Sequence, residues 1–556
     1  MVGATCDDQL VPRTFGGCAV SVTVAAADPT ESDLGHADLP SVRLGDRRIP
    51  VVLPKRTDPR LHLSIVTISL FVLGIGWLEF RLSIPQIMAA VITAAIIDVA
   101  VNLRRNSILV WPASGLQTAS SIALLLRVTG TESGDLWTWR GWYYFAGLAA
   151  FALLTKHVVR FRGGHLFNPS NVALVVGFVV LGSGRIEPLD LWWGPLDAPM
   201  VLAYVVILLG GLLISRRLGL LEMGIAFWVT LAFGMAVLAA LDHSITAQWS
   251  LSPIAGAHFW WIVMTSPEIL IYLFFMLTDP RTVPVGRTAR IVFGVLVGVV
   301  ASLLAAPWGT EFGTKVGLLA GLAVVSSTRP LLERRLPEPG EPLDDPATFA
   351  RQMLSGRRAG ARMALGIAVV AAVGASVAIA SLPARQPAGQ AGPGLDVVAA
   401  IDASTLPVVA VDANIHKLDQ QLATPEGARE LAAALAWNLA VEHEALRTRD
   451  PSLLVGVDHG YRLDQLDRSI AELGPADPAT APSYRFDALR LMIAYPGGAQ
   501  AGANAGLVAT GTVEHVSYAP SGEELSRSAE PFAVTFTLRR TTSGTWQITD
   551  TLPVPK

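Results

Sequence analysis

FWWIVMTSPEILIYLFFMLTDP, residues 259–280, is the stretch on which the reading of this chain turns. A helix needs about 20 apolar residues to cross the hydrocarbon core, and 259–278 meets that length. The run is interrupted in its middle by Ser266, Pro267 and Glu268. Proline removes a backbone donor and clashes one turn back, so the helix bends or breaks there. A carboxylate at membrane depth is costly and faces a partner, a cavity or a proton. The unit of the fold is thus a membrane span with a polar break.

The same length rule, applied outward, predicts spans at 62–80, 84–102, 108–128, 141–159, 167–182, 199–215, 221–241, 289–306 and 315–331, with an eleventh at 361–382. Composition agrees. The 556 residues are 51% hydrophobic and only 16% charged, with a mean hydropathy of +0.47. Those values exclude a single soluble domain and a disordered or fibrous chain. Lys and Arg number 42 against 45 acids, so no basic excess points to nucleic acid. Charge is divided by region: residues 386–556 hold 12 basic and 20 acidic side chains, the remainder 30 and 25. A membrane part joined to a soluble part follows.

Loop charges orient it. Lys55, Arg56 and Arg60 precede the first span, and Arg104 and Arg105 follow the second. Lys156, Arg160 and Arg162 follow the fourth, Arg216 and Arg217 the sixth, and Arg281, Arg287 and Arg290 the eighth. Arg329, Arg334, Arg335, Arg357, Arg358 and Arg362 lie between the tenth and eleventh, whereas Arg185 and Lys315 are read as isolated loop cations. The positive-inside rule predicts a multi-pass protein of the cell membrane, N-terminus cytoplasmic and C-terminal domain extracytoplasmic.

The expected organisation is a cytoplasmic disordered tail over 1–60 and ten membrane helices over 61–335. A cytoplasmic linker over 336–360 leads to the eleventh helix at 361–382, followed by a Pro-, Gly- and Ala-rich linker at 383–394 and an extracytoplasmic α+β domain over 395–556. In the tail, Asp7 and Asp8 stand where a signal peptide carries positive charge. Cys6 and Cys18 are too few for a disulfide framework, and no CxxC pattern offers iron–sulfur ligands. His62, His157, His165, His243 and His258 sit near span ends and not in facing mid-span pairs, which argues against haem. In the last domain, helical spacing covers 425–449 and 459–473. Alternation covers 485–494, 506–517, 531–540 and 545–552, with 541–544 as a hairpin turn. The closing strand GTWQITDTLP, 544–553, resembles that of cone-shaped NTF2-like domains.

Ten core spans divide as five plus five, and an odd number per half makes the halves inverted. The third span of each half is interrupted: WPASGLQT at 111–118 and MTSPE at 264–268. Such breaks predict a mid-membrane site, with unwound backbone exposing carbonyls and amides to a shared cavity and Glu268 as an ion or proton site. The alternative is a pair of proline kinks that serve packing. Asp98, late in the second span, is expected to form a structural pair near Arg104 and Arg105.

Two further motifs frame these breaks. GGHLFNPSN, 163–171, opens the fifth span and LTDPRTVP, 277–284, closes the eighth. With SGLQT at 114–118 they resemble the RnfD/NqrB family, the membrane D subunit of Rnf-type electron transport complexes and the B subunit of sodium-pumping NADH:quinone oxidoreductase. FNPSN together with EPLDLWWGPL, 187–196, is similar to the RnfD-like UnbU branch named for enediyne biosynthesis. The resemblance covers 61–335. It implies a ten-helix inverted repeat, bound flavin, electron transfer across the membrane, and other membrane or redox subunits as partners. The cofactor-binding residues it implies are Ser114, Gly115, Thr118, Asn168, Pro169, Asn171, Asp279 and Thr282. Family members with covalent FMN carry a Ser-Gly-Ala-Thr-like loop after the FNP helix, whose threonine forms the phosphoester. Here that loop reads GRIEPLD, 184–190, without threonine, so noncovalent flavin (FMN or riboflavin) is expected.

The residues also have plainer readings. Asn168 and Asn171 can cap a helix that Pro169 begins. Asp279 can end the eighth span and pair with Arg281, Arg287 or Arg290. Trp192, Trp193, Trp260 and Trp261 fit an interfacial belt. Glu442, His443, Asp458 and His459 read as a solvated face before a metal site. The expected function is a membrane subunit of a redox complex, with cation or proton movement coupled to it; the alternative is a secondary transporter, or a membrane scaffold, linked to natural-product biosynthesis and lacking flavin.

Overall fold

A computed structural model describes residues 40–385 and 403–554, apart from 45–46, 55–57, 132–133, 194–195, 248, 251–252, 356–357, 460, 496–502 and 541–544. Cys6, Cys18, Asp7, Asp8 and the 541–544 turn therefore lie outside the described residues, as does most of the 383–394 linker.

The described part of the tail is structured. Strands β1 (Ser41–Leu44) and β2 (Arg47–Val52) form an antiparallel hairpin, and β2 pairs in parallel with β3 (Leu109–Val110). The disordered tail expected over 1–60 is corrected for 41–52. Its alternation is short, and the partner strand lies beyond two helices, so local reading misses it.

The first five long helices are α1 (Pro59–Gly76), α2 (Ile84–Asn106), α3 (Ala113–Leu125), α4 (Trp142–Val158) and α5 (Pro169–Leu181). Between them lie β4 (Leu126–Val128), β5 (Arg160–Phe161) and β6 (Gly164–His165), and β7 (Ile186–Pro188) follows. Next come α6 (Ala198–Arg217), α7 (Leu221–Ala240), the short pair β8 (Ser244–Ile245) and β9 (Ile254–Ala255), and α8 (Gly256–Thr265). Helix α9 (Pro267–Ile271) runs on as a π-helix over Tyr272–Leu277 and is bent 41° from α8. Then follow α10 (Arg287–Ala305), α11 (Glu311–Ser327), α12 (Arg329–Arg335), α13 (Pro346–Leu354), the apolar α14 (Ala359–Ala380) and the single turn α15 (Leu382–Arg385).

Caps set many of these starts. Ser83 and Gln86 form a capping box at α2, Asp197 accepts from the Met200 amide at α6, and Thr310 accepts from Gly313 at α11. Among the described residues five helices are long and apolar enough to cross a membrane, or seven if each bent pair counts as one span. The expectation of eleven full spans is corrected at the first, third, fourth and fifth, whose helices fall outside that set. Helices α3 and α5 have 13 residues each, about 20 Å of rise against a core of about 30 Å. The remaining length is taken by β4 and β7, which pair antiparallel. That pairing satisfies backbone groups beyond the ends of the two helices.

Packing follows a regular scheme. Helix α2 packs on α3 and α4, and α7 on α8 and α10. Helix α4 packs on α5 as α10 does on α11, and α1 on α3 as α6 does on α9; α1 also meets α6, and α5 meets α11. Close approach depends on glycine, as Gly294 and Gly317 show. A Cβ on Gly294 would stand 2.5 Å from Met223 O, and one on Gly317 2.4 Å from Leu304 O.

The sheet domain carries β10 (Val409–Val411), α16 (Pro425–Thr448), α17 (Tyr461–Ala471), β11 (Ala479–Ala494), β12 (Asn504–Tyr518), β13 (Glu524–Arg540) and β14 (Trp546–Pro553). Their order is β10-β11-β12-β13-β14, antiparallel except for the β10–β11 edge. Both helices and all four long strands overlap the expected segments, β11 and β13 beginning earlier than expected, while β10 was missed because three residues show no period. Leu431, Leu435 and Leu439 of α16 close the core on Leu489, Leu507 and Phe536. This is an α+β unit after a helical membrane part.

Candidate functional site

The motifs 110 residues apart in the chain meet at one end of the bundle. His165 Nε2 lies 3.0 Å from Asp279 Oδ2, and the Arg281 amide donates to Asp279 Oδ1. Asp279 therefore pairs with His165, a correction to the expected pairing with Arg287 or Arg290, because β6 brings the FNP loop against the end of the π-helix. Asn168 caps α5 by accepting from the Asn171 amide, and Pro169 is the first helical residue. The Asn168 side-chain amide donates to Met276 O in the π-helix, and that of Asn171 to Leu319 O in α11. Thr282 Oγ1 donates to Asp279 O, and Thr118 Oγ1 to Ser114 O. These side chains tie α5 to the π-helix and α11, the plainer of their two readings.

SGLQT does not lie at a break. Residues 114–118 are the first turns of α3, which starts after Pro112. The interruption expected inside the third span is displaced to its two ends. The Gly115 amide donates to Asp98 Oδ2 at 3.2 Å, and a Cβ at Gly115 would stand 3.0 Å from Asp98 Cβ. Asp98 also takes Lys156 Nζ at 2.9 Å and lies 3.4 Å from His157 Nε2. The structural pair expected near Arg104 and Arg105 is made with Lys156 and His157 of α4. Thr67, Gln117 and Ser121 line a narrow crevice between α1, α3 and the π-helix, and Gln117 Oε1 there accepts no hydrogen bond.

A second set of charges is buried toward the sheet domain. Glu268, in the first turn of α9, is 4% exposed, and its Oε2 has no hydrogen-bond partner. The break beside it is capped, contrary to the expectation of open backbone. Val263 O accepts from Ser266 Oγ, Met264 O from Trp228 Nε1, and Thr265 O from Tyr204 Oη. Around Glu268 stand Lys315, Glu311, Asp190 and Arg127, all close enough to act on it electrostatically.

Each has its own anchor. Lys315 Nζ donates to Pro188 O and Leu189 O and stands 3.3 Å from Glu311 Oε1 and 3.8 Å from Asp190. Glu311 also accepts from the Leu191 amide at 2.6 Å and from Trp249 Nε1 at 3.0 Å. Arg127 bends back to donate to Ala123 O, Leu124 O and Leu126 O, covering the α3 C-terminus, and lies over the Phe80 ring. Glu187 and Arg81 belong to the same electrostatic group. From the sheet domain Arg539 reaches in, its Nη1 donating to Ala247 O, with Glu311 as its charged neighbour.

Sequence reading found Glu268 and missed Arg127, Asp190, Glu311 and Lys315. Lys315 looks like a loop cation but is 3% exposed inside α11. The missed signal was Glu311 and Lys315 one turn apart at the head of an apolar helix. Of the belt tryptophans, Trp261 is exposed, whereas Trp193 is buried and donates to Asp190 O.

In the sheet domain Glu442 and Asp458 are buried, which overturns the solvated face expected there. Glu442 takes Arg462 in a two-point ion pair, and His443 binds Pro482 O and Tyr518 Oη. Burial, and then the like charge of Glu442, push the Asp458 carboxyl well above the usual carboxylate range. Burial holds His459 down to about 3.

Set against family models and curated proteins, the chain matches none.

Proposed function

We propose that the chain is the membrane subunit of a redox complex of the RnfD/NqrB kind, nearest its UnbU-like branch, and that its interior charges couple electron flow to the movement of a cation or proton. The observation that carries this is Glu268, buried at a helix break with an unpartnered oxygen beside Lys315 and Arg127. The paired helix contacts of the two halves support an internal inverted repeat, α1–α5 against α6–α11. The meeting of FNP and TDP through His165 and Asp279 supports the resemblance. In the same proposal the N-terminus is cytoplasmic, the sheet domain extracytoplasmic and NTF2-like, and other redox subunits bind the bundle.

Flavin would supply one- or two-electron carriage in such a subunit. Asn168, Asn171, Thr118 and Thr282 spend their donors on protein carbonyls, so they do not fit as its holders. A secondary transporter is the second reading. The charged interior favours it equally, because that interior needs no flavin.

The absorption spectrum of the purified protein, before and after denaturation, separates the two: released flavin is expected for the redox subunit, and its absence favours the transporter. In membranes at normal protein level, Glu268→Gln is expected to impair coupled electron or ion movement. Full activity in both Glu268→Gln and Glu268→Leu would remove the site.

A further inference from the structure

The buried charges next to the sheet domain can be balanced group by group. Arg81, Arg127, Lys315 and, from the sheet domain, Arg539 face Glu187, Asp190, Glu268 and Glu311 within one electrostatic neighbourhood. The formal charges number four of each sign, so contacts and not the total single out one carboxylate. Lys315 is shared between Glu311 and Asp190, and Glu311 has two further N–H donors. Arg127 spends one nitrogen on the carbonyls that end α3. The carboxylate left with an unpartnered oxygen is Glu268, nine-tenths buried and more.

We propose that the unpartnered oxygen of Glu268 carries a proton and does not hold a metal cation. The inference rests on the coupled-movement reading above and names what moves.

Three features of the site carry it. A hard cation needs a shell of several oxygens, commonly six or more. The carbonyls that Pro267 frees would be the natural donors, yet Val263 O, Met264 O and Thr265 O already accept from Ser266, Trp228 and Tyr204. Among the described residues no group of three or more acids, histidines or cysteines has the arrangement to hold a metal ion. Fixed positive charge is also present, since Lys315 and Arg127 both act on Glu268. A further cation would be repelled by both, whereas a proton bonds to a single oxygen and needs no shell. An ionised carboxylate left unpaired at this depth is the costliest alternative. Glu311 and Asp190, the acids nearest in charge, add repulsion that a proton on Glu268 removes.

The test is infrared difference spectroscopy on the purified full chain in detergent, at neutral pH, in H2O and D2O. Wild type should show a protonated-carboxyl C=O stretch that shifts in D2O and is lost in Glu268→Gln. Sodium chloride added in place of choline chloride should leave the band unchanged. Absence of any band that Glu268→Gln removes, or its disappearance on adding Na+, overturns the proposal. Calorimetric titration of wild type with Na+ is the second measurement, needed if Glu268→Gln is not monodisperse. No binding heat is expected, and saturable Na+ binding overturns the proposal. Failure of the redox reading is seen elsewhere, in a flavin-free spectrum, and does not alter these bands.

Discussion

Replacing Asp458 with Asn should stabilise the sheet domain at neutral pH and do almost nothing in acid. Asp458 is 1% exposed, and neither of its oxygens accepts a hydrogen bond, while Glu442 next to it takes the charge of Arg462. A carboxyl whose pKa is raised on folding holds a proton that the unfolded chain releases. Its contribution is fully present below the unfolded value of 3.8 and falls as pH rises toward the folded one. Each pH unit of that interval costs about 1.4 kcal/mol. From the unfolded value to pH 7 the penalty is therefore at most about 4 kcal/mol. Asn has the shape of the protonated acid, needs no proton, and can donate its amide to Glu442. Asp458→Asn should gain up to about 4 kcal/mol at pH 7 and nothing measurable near the unfolded carboxyl range. Native-state hydrogen exchange of α16 amides in the full chain reads the opening energy of this domain alone. A gain independent of pH, or a loss of stability at pH 7, would refute the reasoning.

Two other outcomes follow from the bundle. Lys156→Met should cost about 3–5 kcal/mol by stranding Asp98 in the interior, and adding Asp98→Asn should recover most of it; thermal unfolding in detergent checks both, and an unchanged midpoint in the single variant contradicts a stabilising pair. For topology, a reporter active only in the cytoplasm should be silent after Lys556 and active before Met1, and the reverse pattern would refute the charge argument.

The apolar helices could be read from sequence because span length and loop charge are local properties. Glu268 could be read too, since an acid beside proline inside an apolar run has no bland neighbour. What could not be read depends on helical frame and distance. Glu311 and Lys315 lie at the head of α11, where a charge looks like loop chemistry until the helix start is known. Asp98 finds Lys156 58 residues away, while Arg104 and Arg105 stand closer in sequence but about two turns further along the same helix. Strands β4 and β7 have three residues each, and so short an apolar run has no period to tell it from helix.

Arg539 gives the molecule a mechanical property. Its guanidinium holds Ala247 O, two residues before the Trp249 whose indole holds Glu311. A load that tilts the sheet domain thus pulls on the same short loop that grips the interior carboxylate. By reciprocity, a change of charge in the bundle alters how firmly that domain is seated. The domain is a handle on the bundle, with its leverage on Glu311.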